Sequence, residues 1–452
     1  MNIGKTTRKI QMLYKYLYKH IMEHRVNVIC YDNEIITFYE LAACAENLGK
    51  KLNQGKYGIL CKSPINTAKS IMACLYANKT AVILSDKYGE LHSGKIINSV
   101  GLSFIITDEE ILKISVEEHE TEDLNNVAFI MCTSGTTGKP KGAMITHDNL
   151  ITNINDIIRY FKIESGSNIL ISRPLYHCAV LTGEFFVSLV RGLNIHFLNN
   201  AFNPSELIDI INKKSVNTMC GTPTLFYHLC RFSGRLNNKL PLSVAVCSGE
   251  CMTETVAKEI RNCMPDTRIY NVYGLTEASP RVSYLTPELF DKHPTSVGVL
   301  LDAVTGRIEN DELLIKGKSI MKGYYGDPEH TSEVIDKEGW FHTGDCAVID
   351  KGLLYIKGRK DNLIIRSGMN IYPQEIENDI KKDKRIFEAY AFGVNDGKVG
   401  QKIHLWVEST SCTKKDILDL CLEQLPSYQI PDQIQIVEKI PKNASGKIIR
   451  RK

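Results

Sequence analysis

The amino-acid sequence predicts an α/β protein: a large N-terminal domain of helix-covered sheets with a small antiparallel region, then a small, mobile C-terminal α+β domain. Three observations carry that prediction. Short β-rich runs alternate with stretches whose apolar residues recur at helical spacing. After about Ser296 the texture changes, with glycines at 298, 306, 317, 323, 326, 339, 344, 352 and 358 separated by short strands. Beyond Gly358 a third pattern begins, a loop followed by alternating helices and strands. The 452 residues, 43% hydrophobic and 24% charged, have globular proportions, and the length allows about three domain-sized units.

Taken in order, strands are expected at 26–31, 57–61, 81–84, 103–107, 128–133, 168–172 and 194–198, all short and bounded by polar or turn-forming residues. Helices are expected at 39–52, 64–77, 146–161, 182–191 and 204–214, where apolar residues fall on one face. Parallel strands need such crossovers, so the alternation implies parallel sheets. The glycine-rich stretch reads as antiparallel hairpins. The last stretch reads as a helix at 373–381, strands at 389–394 and 402–408, and a helix at 414–424. A boundary near 358–361 divides the chain into domains 1–358 and 359–452.

Charge and cysteine usage narrow the function. Lys plus Arg is 55 against 52 Asp plus Glu, a formal charge of +3, so no field argues for nucleic acid or anionic lipid. The apolar runs fall short of the ~18 residues a membrane helix needs. Residues 1–22 are rich in Lys and Tyr and lack both an apolar core and a small-residue cleavage site, so no secretory leader is expected. The 14 cysteines include no Cys-x-x-Cys and read as buried thiols in a reducing cytoplasm. His20 and His24 are four apart on an expected helix, without a third ligand, and read as a solvated face.

The segment Met131-Cys-Thr-Ser-Gly-Thr-Thr-Gly-Lys-Pro-Lys-Gly142 places three glycines, four hydroxyls and two lysines after an apolar strand. Glycines let the backbone turn its N–H groups toward a polyanion, and hydroxyls and ammonium groups add donors. A helix follows at once, so the pattern reads as a phosphate cradle. It is not a Walker loop, because Gly138-Lys139 precedes Pro140 rather than Ser or Thr.

Thr133-Ser-Gly-Thr-Thr-Gly-Lys-Pro-Lys141 resembles the signature of the adenylate-forming superfamily, which comprises acyl-CoA synthetases, stand-alone adenylation domains and luciferase. Four further segments resemble that family's motifs in order: Tyr273-Gly-Leu-Thr-Glu277, Gly339-Trp-Phe-His-Thr-Gly-Asp345, Gly358-Arg-Lys-Asp361 running on to Glu377, and Pro441-Lys-Asn-Ala-Ser-Gly-Lys447. The resemblance implies the two-domain fold and a reaction that joins a carboxylate to the α-phosphate of ATP, with a thiol then attacking the acyl-AMP. It further implies that Thr133, Ser134, Gly135, Thr136, Thr137, Gly138 and Lys141 hold the phosphates, and that Glu277 binds Mg²⁺ while Thr276 contacts the α-phosphate. Asn271 and Tyr273 would lie along the adenine opposite Ser248, Gly249 and Glu250. Asp345 would accept the ribose hydroxyls, backed by Arg359, and Lys447 would bridge carboxylate and α-phosphate. Asp361 would be the hinge, and Gly368 would border the thiol tunnel.

His177, in Arg173-Pro-Leu-Tyr-His177, resembles the family histidine between nucleotide and acyl pockets. Amino-acid-activating relatives carry an Asp where this chain has Ala179, and a methyl group there offers no partner to an α-ammonium. The lining implied by the resemblance, Val180, Gly183, Thr222, Val246, Ala278 and Ser279, is small and mostly apolar, which implies an aryl or medium acyl acid without an α-amino group. The chain departs from the family pattern at Asn362, where a second acid is usual, and at Ser367, where a glycine is common. The leading reading is an acid–thiol ligase with CoA or a phosphopantetheine carrier as acceptor. A stand-alone carrier-loading enzyme, a luciferase-like oxidoreductase and a non-catalytic nucleotide-binding protein are the alternatives.

Overall fold

A computed structural model describes residues 12–85, 90–114, 122–133, 141–198, 203–235, 240–367, 369–442 and 448–450. The chain divides into two compact units, Met1–Gly306 with Ile315–Phe341, and Arg307–Leu314 with His342–Lys452. The first unit holds a nine-stranded and a six-stranded sheet. In the larger sheet Arg268–Gly274, Val244–Cys247, Thr218–Gly221, Asn168–Ile171, Asn194–Phe197 and Val28–Tyr31 run parallel as neighbours. Antiparallel strands close its edges, Arg281–Leu285 with Val299–Leu300 on one side and Glu34–Thr37 on the other. The strands Thr218–Gly221 and Val244–Cys247 are buried at every position, as parallel strands covered on both faces must be. The smaller sheet runs Ile111–Lys113, Phe104–Ile106, Tyr57–Ile59, Ala81–Ile83, Val127–Thr133, Lys141–Thr146.

Helix boundaries follow local chemistry. Phe38–Gly49, His147–Tyr160 and Lys414–Gln424 open with capping boxes, in which Thr37, Thr146 and Thr413 accept from the third helical amide and donate their own backbone amides to that residue's side chain. Proline starts Pro64–Tyr76, Pro204–Lys213 and Pro373–Ile380, where no backbone donor is wanted. Helix His147–Tyr160 turns Leu150, Ile154 and Ile157 inward, the i, i+4, i+7 stripe of an amphipathic helix.

Several expectations shift. The strand expected at 57–61 ends at Ile59, because Ser63 caps the next helix and Pro64 begins it. The helix expected at 182–191 starts at Cys178 and contains a π-helical turn, Leu181–Phe186. A helix Met12–Glu23 precedes the first strand. His20 lies on it, half-buried and 2.9 Å from Glu23, whereas His24 falls beyond its end against Gly192, so the two do not share a solvated helix face. No helix among the described residues is long and apolar enough to cross a membrane.

In the second unit Ile386–Asp396 and Gly400–Ser409 form a long antiparallel pair, joined by Ile364–Arg366, Met369–Ile371 and a parallel strand Gln433–Val437. Ile376, Ile380, Ile417 and Cys421 of its helices pack on Ala389, Ile403, Leu405 and Val407. Arg450 grips the buried Glu377 with two hydrogen bonds of 2.9 and 2.6 Å, which fastens the last described residues to helix Pro373–Ile380. The glycine-rich stretch forms the four-stranded sheet Val304–Glu309, Glu312–Gly317, Phe341–Asp350, Leu353–Arg359.

His147 opens the helix behind the glycine-rich hairpin and is 2% exposed. Burial pushes its imidazole down to about 4, against a weaker upward pull from Asp148. The folded protein therefore takes up the proton later than the unfolded chain, whose histidine titrates near ~6.5. The stabilisation is complete above that pH and is lost as pH falls toward 4. His147→Gln is expected to flatten the loss of denaturant midpoint between neutral pH and pH ~5, by at most about 1.4 kcal/mol per pH unit. Equal slopes in variant and parent would refute the assignment.

Candidate active site

The parallel strands share a register that gathers their carboxyl ends. Gly221 stands beside Cys247, and Cys247 beside Asn271. The residues just beyond, Thr222, Ser248–Glu250 and Tyr273–Glu277, therefore emerge along one edge, where open α/β sheets place their ligands. Ser248 donates its amide to Gly221 and is buried, with no partner for its hydroxyl among the described residues. Gly249 adopts φ +89°, a backbone conformation suited to glycine. Glu250 accepts two hydrogen bonds from Thr224 at the start of helix Pro223–Arg235. Asn271 turns its amide nitrogen to the carbonyls of Pro294 and Ser296, while Tyr273 is half-buried.

The glycine-rich segment joins two strands of one hairpin, Val127–Thr133 and Lys141–Thr146, with Thr133 opposite Lys141. Ser134, Gly135, Thr136, Thr137 and Gly138 lie outside the described residues, as do Gly368 and Lys447. A side chain on Gly142 would meet Ile130 at 2.6 Å, so the return strand must begin with glycine after Lys141. The Lys141 ammonium lies 2.5 Å from Nε2 of His330 and 5.7 Å from the centre of the Tyr324 ring. Since the ammonium can only donate, Nε2 is the acceptor and Nδ1 carries the proton directed at Glu333, 2.9 Å away. The His330 and Tyr324 rings stack at 4.9 Å.

Tyr324 completes the connection by donating its hydroxyl to Oε1 of Glu277 at 2.9 Å. Glu277 sits in a 3₁₀ turn, Thr276–Ala278, and its carbonyl accepts from Met321 at 2.8 Å. The turn is closed by Ser279 in the left-handed region, φ +69°, an uncommon conformation for a residue with a side chain. Lys141 and Glu277, 136 residues apart by position, thus bracket one aromatic pair. Tyr324 and His330 were not anticipated from the motifs. The only sequence signal was two adjacent tyrosines between Gly323 and Gly326.

On the acid side, His177 is half-buried at the N-cap of Cys178–Val180, its ring 4.3 Å from that of Tyr176. Cys178 reaches the carbonyl of Thr276 at 4.0 Å, which brings the two segments together, and burial pushes its thiol up to about 12. Ala179 and Thr222 are half-buried, whereas Val180, Gly183, Val246, Ala278 and Ser279 are buried. Glu184 is also buried and accepts from Arg173 at 2.7 Å, and desolvation raises its carboxyl despite that partner.

The second unit carries the other acceptor. Asp345 lies opposite Arg359 across the pair Phe341–Asp350 and Leu353–Arg359. Arg359 donates to Oδ1 of Asp345 at 3.2 Å and to the Thr343 carbonyl at 2.7 Å. Beside them Glu312 accepts from Lys360 and from the Gly344 amide. Burial alone would raise its carboxyl, yet these partners hold it below the usual range. Asp361 is exposed in the short turn Lys360–Asn362 that follows.

Residues 108–325 match the family of AMP-binding enzymes, and residues 375–447 match the AMP-binding enzyme C-terminal domain. The chain is 32% identical over 352 residues to a long-chain-fatty-acid–CoA ligase of Salmonella typhimurium, covering 72% of this chain and 61% of that enzyme's length. It is 27% identical over 462 residues to the 2-succinylbenzoate–CoA ligase of Bacillus subtilis, covering 93% of each. A solved structure of the Bacillus subtilis o-succinylbenzoate coenzyme A synthetase, in complex with ATP and magnesium ion, superposes with a TM-score of 0.85 at 25% identity over 96% of this chain and 98% of that one. By its motifs, its fold and these likenesses, the chain belongs to the AMP-binding enzymes of the adenylate-forming superfamily.

Proposed function

We propose that this protein is an ATP-dependent acid–CoA ligase, which activates a carboxylic acid as its acyl adenylate and passes the acyl group to the CoA thiol. The carrying observation is the linked set Lys141, His330, Tyr324 and Glu277, which holds a cation and a carboxylate beside a glycine-rich hairpin. ATP fits this chain's residues: Lys141 offers an ammonium to phosphates, Ser248 has a buried hydroxyl with no partner among the described residues, and Asp345 is a two-oxygen acceptor for ribose. Mg²⁺ is commonly held by one or two carboxylates together with substrate phosphates, and Glu277 supplies such a carboxylate. When bound, the ion would neutralise charge developing on the phosphates. CoA is preferred over a carrier protein because the relatives named above are CoA ligases.

The roles of Asn271, Tyr273, Thr276 and Lys447 and the functional boundary at 358/359, with Asp361 as hinge and Gly368 at the thiol tunnel, belong to the same proposal. So does a reducing, cytoplasmic setting, which suits fourteen free cysteines. The acid lacks an α-amino group, on two grounds. Ala179 offers an ammonium no partner, and Glu184, the nearest acid in sequence, is already bound to Arg173. An aryl or medium acyl acid suits the small lining residues.

Pyrophosphate exchange measured over benzoate-type acids, fatty acids and proteinogenic amino acids, followed by CoA, tests the proposal. Exchange with acids lacking an amine, and CoA-dependent thioester formation, is the expected result. Preference for an α-amino acid would move the protein to the carrier-loading class. Lys447→Ala is expected to slow adenylate formation by at least ~10²-fold while chemically supplied acyl-AMP is still converted to thioester. Full exchange in that variant would remove Lys447 from the reaction. Tyr324→Phe frees the Glu277 carboxylate and should raise the Mg²⁺ concentration for half-maximal exchange about tenfold. An unchanged magnesium requirement would reduce Tyr324 to a packing role.

A further inference from the structure

Within the second unit, the residues proposed to hold the ribose lean on one buried carboxylate. Glu312 opens strand Glu312–Gly317 and is 5% exposed. The neighbouring strand of that sheet, Phe341–Asp350, carries Thr343, Gly344 and Asp345. Oε1 of Glu312 accepts the Gly344 amide at 2.9 Å and Oε2 accepts the Lys360 ammonium at 2.8 Å, with Nδ1 of His342 at 3.8 Å from Oε2. One side chain thus grips the residue before Asp345 and the residue after Arg359. Gly344 and Lys360 outweigh burial and keep the carboxyl ionised.

The backbone is shaped for this grip. Gly344 has φ +68°, and an added Cβ would stand 2.8 Å from Nη2 of Arg359. The left-handed turn and the missing side chain let the guanidinium lie against the chain while the amide reaches Glu312. Arg359 then donates to the Thr343 carbonyl and to Oδ1 of Asp345, at 2.7 and 3.2 Å. The Thr343 hydroxyl donates to the Leu313 carbonyl at 2.7 Å and accepts the Asp345 amide at 3.0 Å. Asp345 is therefore held from one strand by residues 312–313 and from the other by Arg359. Removing Glu312 would strip the Gly344 amide and the Lys360 ammonium of their acceptor, and a donor left unpaired moves toward water. A carboxylate that must receive two adjacent hydroxyls has to be held within ~0.5 Å, because hydrogen bonds weaken steeply with angle.

We propose that Glu312 is a positioning residue for nucleotide binding: through Gly344 and Lys360 it fixes Asp345 and Arg359 in the geometry that takes the ribose hydroxyls. The inference rests on the ligase reading above and deepens it, since it concerns the same nucleotide site. Both oxygens of Glu312 are engaged by protein donors, so it acts through Asp345 and not on the nucleotide itself.

Calorimetric titration of the full-length protein with magnesium ATP, 2′-deoxy-ATP and 3′-deoxy-ATP tests this without any acid substrate. The parent is expected to bind ATP about tenfold more tightly than at least one deoxy analogue, the ratio set by a hydrogen bond to a charged group. E312A should weaken ATP about tenfold and that analogue less than about twofold, so that the preference for the hydroxyl collapses. A merely structural loss would weaken both nucleotides equally, and that result would overturn the assignment. E312Q keeps an oxygen for the Gly344 amide but loses the charge facing Lys360, and should retain only part of the preference. It carries the test if E312A fails to fold, and a preference in E312Q equal to the parent's would overturn the assignment. A parent that binds ATP and both analogues equally would remove the ribose role of Asp345 and this inference with it, while acid-dependent pyrophosphate exchange would keep the ligase reading standing. Absence of both ATP binding and exchange would overturn the two together.

Discussion

The shared register of the parallel strands is the constraint on which the first unit depends. Because Gly221, Cys247 and Asn271 lie side by side, three loops that are far apart in sequence leave the sheet at one edge. Each loop then spends its polar groups locally. Glu250 ties down Thr224, Asn271 ties down the 294–296 turn, and the Ser248 hydroxyl has no partner among the described residues. A one-residue slip in any strand would turn these side chains to the opposite face of the sheet. The buried, β-branched and cysteine-rich strands prevent such a slip, since their side chains are packed on both sides.

Charge is handled in two different ways around this edge. At the phosphate side, Lys141 and Glu277 are kept apart by the stacked Tyr324 and His330 rings, which orient each group without neutralising it. Such an arrangement leaves both charges usable by a ligand, whereas a direct ion pair would have consumed them. Around Glu184, by contrast, Arg173 pairs directly with the buried carboxylate and Arg281 adds a second favourable charge. The difference matters chemically. Lys141 and Glu277 are half-buried and keep contact with water, whereas the buried Glu184 persists as a charge only beside its guanidinium partners.

In the second unit the same economy of donors appears. Arg359 and Asp345 sit opposite each other in an antiparallel pair, so their separation is set by strand geometry rather than by flexible side chains. Glu312 collects Lys360 and the Gly344 amide just beside them. Arg450 and Glu377 make the buried clasp that holds the end of the chain.

Much of this protein was determined by local sequence. The alternation of strands and helices, the capping threonines, the proline-led helices and the five ordered motifs fix the α/β class and the AMP-binding family, because periodicity, caps and short contiguous motifs are carried by neighbouring residues. The identities of Lys141, Glu277, Asp345 and Arg359 as site candidates were legible for the same reason. Tertiary structure alone decided what stands between them. Tyr324 and His330 lie far from Glu277 and Lys141 in sequence, and nothing in a window of a dozen residues marks a tyrosine as a carboxylate's partner. The residues proposed to face the acid show the limit most clearly. The residues named there from the motifs read as small and mostly apolar. The fold brings Arg281 against Gly183 and Arg173 onto Glu184, so that buried charges meet there. Charge compensation inside a protein is a property of three-dimensional neighbours, and a linear pattern does not encode which buried charges meet.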